Sequence, residues 1–311
     1  MILNKPKFWD KNQISIWSIL LMPITIIIIL FNYFKFKKYK KLNFSIPIIC
    51  VGNIYIGGTG KTPLAIEIYK ILKSLNKKPA FIRKFYQNHN DEHSMLRKFG
   101  KVFLNKERKI AINKLIKNNK NIAILDDGLQ DNKINFDLSI ACFNQKQWIG
   151  NGQVIPSGPL RENLKALKKY DHVFINGSSK KNNIFEKKLY SFNPNVKIFY
   201  SYYKFTNLTH LKKKKIIAFA GIGNPINFFD LLKKSKLNFL KTFNFPDHYD
   251  YTRRDMSALV NESKKLGAIL LTTEKDYFRL NYKQKIGIKY IKIKLIIKNK
   301  KQFIKEIKNI I

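Results

Sequence analysis

Short apolar runs recur along this chain, and amphipathic stretches with helical spacing separate them. The runs predict strands at Ile46–Val51, Pro79–Arg83, Lys101–Leu104, Ile122–Leu125, Leu138–Cys142 and Val173–Ile175, with helices between them that include Thr62–Leu75 and Glu107–Asn118. Gly177–Lys188 is polar and reads as a connector. A second set follows: a strand at Ile216–Ala220, a helix at Pro225–Lys234, a strand at Phe239–Phe243, a helix at Thr252–Leu266, strands at Ala268–Thr272 and Tyr290–Leu295, and a final helix. Strands that alternate with helices predict an α/β fold with a mainly parallel sheet flanked by helices. There is no internal repeat and no low-complexity linker. The expected organisation is an N-terminal membrane-associated helix (1–34), a core (35–208) and a smaller C-terminal α/β lobe (209–311). A cleft separates the two lobes, and the last strand or helix is free to pack back on the core.

The segment Ile14–Tyr33 departs from this rhythm, because it is nearly all apolar. Its length matches the roughly 20 residues that span a bilayer. Ser15, Ser18, Thr25 and Asn32 fall near one helical face, and Pro23 predicts a kink, so an interfacial helix or a buried hairpin remains open beside a span. No small-residue cleavage site follows, which argues against a cleaved signal peptide. Lys35, Lys37, Lys38, Lys40 and Lys41 after the segment outnumber Lys5, Lys7 and Lys11 before it. For a spanning helix, that bias places the C-terminal side in the cytoplasm.

Charge adds a preference for polyanions. The chain has 311 residues, 60 Lys+Arg against 20 Asp+Glu, and a formal net charge of +40. Such a field draws nucleic acid, anionic lipid or phosphorylated substrates. The lysines are dispersed and no aromatic-basic recognition motif stands out, so charge does not make this a nucleic-acid binder. The two cysteines, Cys50 and Cys142, sit in apolar strand-like runs, which fits a reducing cytosol better than a disulfide framework.

The chemistry centres on Val51-Gly52-Asn53-Ile54-Tyr55-Ile56-Gly57-Gly58-Thr59-Gly60-Lys61-Thr62-Pro63. A strand feeds a glycine-rich turn that opens a helix, the context in which backbone N–H groups cradle a polyphosphate. Gly57, Gly58, Thr59, Gly60, Lys61 and Thr62 are the candidate nucleotide-binding residues, with Lys61 reaching the β- and γ-phosphates and Thr62 a ligand for Mg²⁺. The usual spacing puts a glycine at position 55, where this chain has Tyr55. Asp126 and Asp127 end an apolar strand, where acids hold Mg²⁺ directly or through water; a strand-end turn or helix cap is the plainer alternative. Asp91-Glu92 reads equally well as a helix cap. His248 sits in the turn Phe245–Tyr249, and a lone histidine is more often structural than functional. The long loop through Gly150-Asn151-Gly152 and Pro156–Glu162 exceeds what a tight turn needs, and such loops over an α/β sheet often bind substrate. It offers Asn151, Arg161 and Glu162.

In this order these motifs resemble the tetraacyldisaccharide 4′-kinase family, the lipid A 4′-kinases of Gram-negative bacteria. Pro6-Lys7-Phe8-Trp9 with its apolar helix, the phosphate loop, Asp91-Glu92, Asp126-Asp127-Gly128-Leu129-Gln130 and the 150–162 loop carry the resemblance in the first part. Ala220-Gly221-Ile222-Gly223-Asn224-Pro225, Phe245-Pro246-Asp247-His248 and Thr273-Glu274-Lys275-Asp276 carry it in the second. The family's phosphate loop also lacks the first glycine. There are departures. Ile82-Arg83-Lys84-Phe85-Tyr86 stands where the family usually has Ser-Arg-Gly-Tyr-Gly, His93 where it has proline, and Asp131 where it has histidine.

The resemblance implies ATP-dependent phosphorylation of the 4′-hydroxyl of a tetraacylated glucosamine disaccharide 1-phosphate. It implies that Asp91 and His248 act together on the attacking hydroxyl with Lys61, that Asp126 and Asp127 serve metal and phosphates, and that Arg161 and Glu162 face the substrate. The implied cofactors are ATP, as substrate, and Mg²⁺. The implied partners are the lipid substrate and the inner-membrane surface, with the catalytic lobes on the cytoplasmic side. No nucleic acid and no obligate protein partner are expected. Another membrane-anchored P-loop NTPase or ATP-dependent ligase is the runner-up, which phosphate release without a lipid acceptor would favour. A non-enzymatic basic protein would instead show nucleic-acid affinity with a steep salt slope and no ATP turnover.

Overall fold

In a computed structural model the chain is described over residues 5–11, 13–37, 40–85, 90–177, 181–206, 211–247 and 249–311. The elements run α1 (Ile16–Leu20), α2 (Met22–Lys37), β1 (Ile48–Gly52), α3 (Lys61–Ser74), β2 (Pro79–Lys84), α4 (Asn90–Arg97), β3 (Val102–Asn105), α5 (Arg108–Lys117), β4 (Ile122–Asp126) and β5 (Leu138–Asn144). They continue β6 (His172–Asn176), α6 (Asn183–Phe192), β7 (Lys197–Thr206), β8 (Ile216–Ala220), α7 (Pro225–Lys234), β9 (Phe239–Asn244), α8 (Arg253–Leu266), β10 (Ile269–Thr273), α9 (Glu274–Arg279), β11 (Ile288–Ile297) and α10 (Lys300–Lys308).

The chain folds into two compact units. The larger takes residues 3–85, 99–202 and 297–311, and its sheet has the order β3-β2-β4-β1-β5-β6-β7 with parallel pairing throughout. β1, β4 and β5 are buried along their whole length, which is why they read as unbroken apolar runs. From β1 the chain builds β2, β3 and β4 on one side and then crosses to β5 on the other, and that reversal opens a crevice at the carboxyl ends of the strands. One apolar cluster from Ile48 to Tyr200 lies between this sheet and its helices.

Among the described residues the smaller unit takes 90–98, 203–206, 211–247 and 249–296. Its sheet is β11-β10-β8-β9, again parallel. Helix α8 has clear stops at both ends. Thr252 and Asp255 form a reciprocal capping box at its start, and Gly267 closes it in the left-handed region.

The units divide the chain differently from 35–208 and 209–311. Residues 90–98 join the smaller unit because α4 packs on α9, with Lys98 paired to Glu274 at 2.9 Å and lying over the Phe278 ring. Residues 297–311 belong to the larger unit because Phe303 and Ile307 are fully buried there, Phe303 edge-on to Phe174 and Phe199. The stretch expected to be a connector includes the start of α6, whose first turn is capped by the Asn182 side chain. β7 was not among the expected strands; its exposed and buried positions do not follow a clean period of two.

The expected N-terminal membrane helix is the main correction. Among the described residues no helix is long and apolar enough to cross a membrane. The apolar run is broken at Leu21, which ends α1 just ahead of Pro23 in the first turn of α2. Its hydroxyl face is buried: Ser18 and Thr25 are 0% and 3% exposed. The opposite side leaves Trp17, Ile27, Phe31 and Phe34 more than half exposed.

Candidate active site

Strand β1 ends at Gly52, and the turn that follows climbs into α3. Gly60 occupies the N-cap with φ of 90°, a conformation costly for any residue with a side chain, so the turn needs glycine there. Pro63 lies in the first turn of α3, where no N–H is required. Lys61 and Thr62 therefore open the helix at its positive end.

β4 lies beside β1 with Val51 opposite Asp126, so the phosphate loop and the two acids sit at the same end of neighbouring strands. Thr62 donates its hydroxyl to Asp126 Oδ2 at 2.9 Å, and Arg83 at the end of β2 donates to the same oxygen at 2.7 Å. Asp126 Oδ1 is buried with no hydrogen-bond partner among the described residues, as are Thr59 Oγ1 and Asn53 Oδ1. Buried polar atoms cost free energy when left unpaired. Their cluster around the loop marks a place built to receive another polar group.

Asp127 turns the other way. Its φ is 66°, and its N–H donates to Val51 O at 2.8 Å. Its carboxylate accepts from Arg161 at 2.8 Å and lies 3.8 Å from Lys61 Nζ. Burial raises the Asp127 pKa, but the Lys61, Arg161 and Arg83 charges outweigh it and hold the carboxyl down at about 2. Burial lowers the Lys61 pKa, against the pull of Asp127 and Asp126. Arg108 holds this turn from behind, donating to Asp127 O and to Asp131 Oδ2, the latter at 2.9 Å.

Glu162 is fixed by Gln130 Nε2 at 2.8 Å and by the Tyr170 hydroxyl at 3.1 Å. Gln130 also donates to Asn53 O at 3.0 Å, which ties the acidic turn to the phosphate loop. Of the residues expected from sequence, Lys61, Thr62, Asp126, Asp127, Arg161 and Glu162 converge here with Gly57 to Gly60. Asn151 does not. Its side chain donates to Ser18 Oγ and Ser157 O, both at 2.9 Å, in a buried seam under α1. Asp91 lies at the start of α4 in the smaller unit, and nothing beyond its backbone is described. His248 lies outside the described residues. Arg83, Gln130, Tyr170 and Arg108 were not site candidates from sequence. The signal available for Arg83 was a charge at the end of a strand next in register to β4.

A family model for tetraacyldisaccharide-1-P 4′-kinase matches residues 17–311. A tetraacyldisaccharide 4′-kinase of Pelagibacter ubique is 45% identical over 302 residues, 97% of this chain and 96% of that protein. One from Rickettsia rickettsii is 33% identical over 293 residues, 89% of each. Among solved structures, "apo" form LpxK from Aquifex aeolicus in complex with ATP superposes with a TM-score of 0.70 at 25% identity, covering 94% of this chain and 99% of that one.

Proposed function

The chain belongs to the tetraacyldisaccharide-1-phosphate 4′-kinase family, and from that premise we propose how its residues divide the work. The activity is ATP-dependent transfer of a γ-phosphoryl group to the 4′-hydroxyl of a tetraacylated glucosamine disaccharide 1-phosphate in lipid A biosynthesis. One observation carries the assignment of roles. Lys61 and Thr62 open a helix directly against Asp126 and Asp127 at the end of the adjoining strand.

Phosphoryl transfer depends on positioning and charge stabilisation. The N–H groups of Gly58 to Thr62 receive the phosphates, and the Lys61 ammonium lies against the β- and γ-oxygens. Before nucleotide arrives, Asp127 holds Lys61 and Arg161, and phosphate oxygens can take over either cation. Thr62 Oγ1 and the unpartnered Asp126 Oδ1 are the oxygens suited to a magnesium ion. When bound, the metal would neutralise charge on the β- and γ-phosphates. Arg161 and Glu162 face the acceptor.

Asp91 and His248 act as a pair on the acceptor hydroxyl. The hydroxyl oxygen forms its bond to γ-phosphorus while its proton passes to the pair and ADP leaves. This assignment rests on the family motifs.

The exposed apolar side of α1 and α2 rests in the cytoplasmic surface of the inner membrane without crossing it. The support is the exposure of Trp17, Ile27, Phe31 and Phe34, the lysines that follow, and an acceptor whose acyl chains remain in lipid. With no span, charge bias no longer sets the side; the need for cytosolic ATP does. Incubation with labelled ATP and the disaccharide 1-phosphate in mixed micelles tests the function. The expected product is the acceptor heavier by one phosphoryl group, and label appearing only as free phosphate would overturn it.

A further inference from the structure

Two loops meet at the phosphate site, and the N-terminal segment holds both. The first is the phosphate loop. Tyr55, standing where a glycine is usual, is fully buried and donates its hydroxyl to Asp10 at 2.7 Å, with Lys5 against the same hydroxyl. The second is the 150–162 loop. Ser18 meets Asn151, and Trp9 donates from its indole to Pro156 O at 3.0 Å. The Thr25 hydroxyl lies 2.8 Å from Ser157 Oγ, 3.3 Å from Val154 O, and accepts from Ser157 N at 3.1 Å. A Cβ on Gly158 would stand 2.1 Å from Asn151 Oδ1, so this seam admits only glycine there.

The two loops are also zipped to each other. Ile56 N donates to Pro159 O at 2.8 Å, and Arg161 N to Ile54 O at 2.7 Å. Arg161, whose backbone N–H closes that zip, is the one whose side chain grips Asp127.

A helix whose outer face is apolar gains nothing in lipid from inward hydroxyls. Ser18, Thr25 and Ser157 are each at most 3% exposed, and each hydroxyl meets a partner from across the seam or within it. Buried networks of this kind fix one geometry. We propose that Thr25 and Ser18 are positioning residues for phosphoryl transfer: through Ser157, Val154 and Asn151 they lock the 150–162 loop and thereby set Arg161 on Asp127. On this view the segment does more than attach the protein to a surface. The inference deepens the kinase reading and rests on it.

The test compares Thr25→Ser, which keeps the hydroxyl, with Thr25→Val, which keeps the shape, in the full chain. Thr25→Val is expected to lower kcat about tenfold with little change in KM for ATP, since misplacing a catalytic side chain by a fraction of an ångström costs rate more than binding. Thr25→Ser should retain most of the rate. Thr25→Val added to Arg161→Ala should cost little more, because the first loss already releases what Thr25 holds. Both Thr25 variants should bind lipid vesicles like the parent. Equal kcat in Thr25→Val and Thr25→Ser, or full additivity with Arg161→Ala, overturns the proposal.

Hydrogen exchange supplies a readout independent of the acceptor. Peptides covering 150–162 should exchange faster in Thr25→Val than in Thr25→Ser. Unchanged exchange there also overturns the proposal. Absence of lipid phosphorylation by the parent protein would overturn the function and leave this second measurement to decide the positioning role.

Discussion

Arg83 and Asp126 form an ion pair of 2.7 Å with both side chains nearly shut off from water, and the Thr62 hydroxyl shares the same carboxylate oxygen. Removing one member of such a pair leaves an uncompensated buried charge, at a cost of about 3–5 kcal/mol. Arg83→Met and Asp126→Leu should each destabilise by that order, and the double variant by clearly less than the sum. Urea unfolding of the three variants measures this, and simple additivity would show that the pair is not coupled.

Lys61→Met should lower transfer by about a thousandfold or more, since it removes a charge aimed at the transferring phosphoryl group. The melting temperature should not fall. Burial already lowers the Lys61 pKa below that of a free lysine, so the charged form is disfavoured in the fold. Turnover near that of the parent would dismiss Lys61 from the site.

The same shift predicts a pH signature. Burial holds the Lys61 pKa below the 10.5 of an ordinary lysine, so free enzyme loses this charge at lower pH than such a lysine would. The alkaline limb of kcat/KM for ATP should fall below 10.5. The limb of kcat should lie higher, because bound phosphates favour the charged amine. Asp127 works in the opposite direction. Its carboxyl is depressed to about 2, so its support for the fold is complete above the unfolded carboxyl value and fades only as pH falls toward 2. Any acid limb of the rate well above pH 2 therefore does not report Asp127, and it should persist in the residual rate of Asp127→Asn.

Asp91→Ala and His248→Ala should each cut kcat strongly while leaving ATP affinity near normal, and the double should be little worse than either. Residues acting as one unit are not additive. Helix α4, which carries Asp91, belongs to the same compact unit as Phe245–Asp247. Multiplicative losses in steady-state kinetics would separate the two roles.

Trp17→Glu with Phe31→Glu should release the protein from anionic vesicles without lowering its melting temperature. Both side chains are more than 60% exposed, so the substitutions remove little buried area. Retention on vesicles in high salt would place the attachment elsewhere.

The strands around the phosphate loop were legible because β1, β4 and β5 are buried on both faces and announce themselves as apolar runs, whereas their order in the sheet was not. Lys61, Thr62, Asp126 and Asp127 were legible because strand ends and a helix start place them. The Arg83–Asp126 pair was not, since it joins residues 43 positions apart through strand register alone. The apolar N-terminal run misled for a related reason. Composition counts Ser18 and Thr25 as minor interruptions, whereas their hydroxyls face a loop more than 120 residues further on and fold the segment against protein. Asn151 was assigned to substrate from its loop, and its partner in that same helix was invisible in the sequence.

The return of residues 297–311 to the larger unit has a consequence for how the protein is made. Phe303 and Ile307 complete a core whose strands are synthesised early, yet they leave the ribosome only after the whole of the smaller unit has emerged. The smaller unit has all its segments first, while Phe174 and Phe199 wait uncovered during elongation. A premature stop just after residue 296 would spare that earlier-completed unit and strike instead the one that carries the phosphate loop.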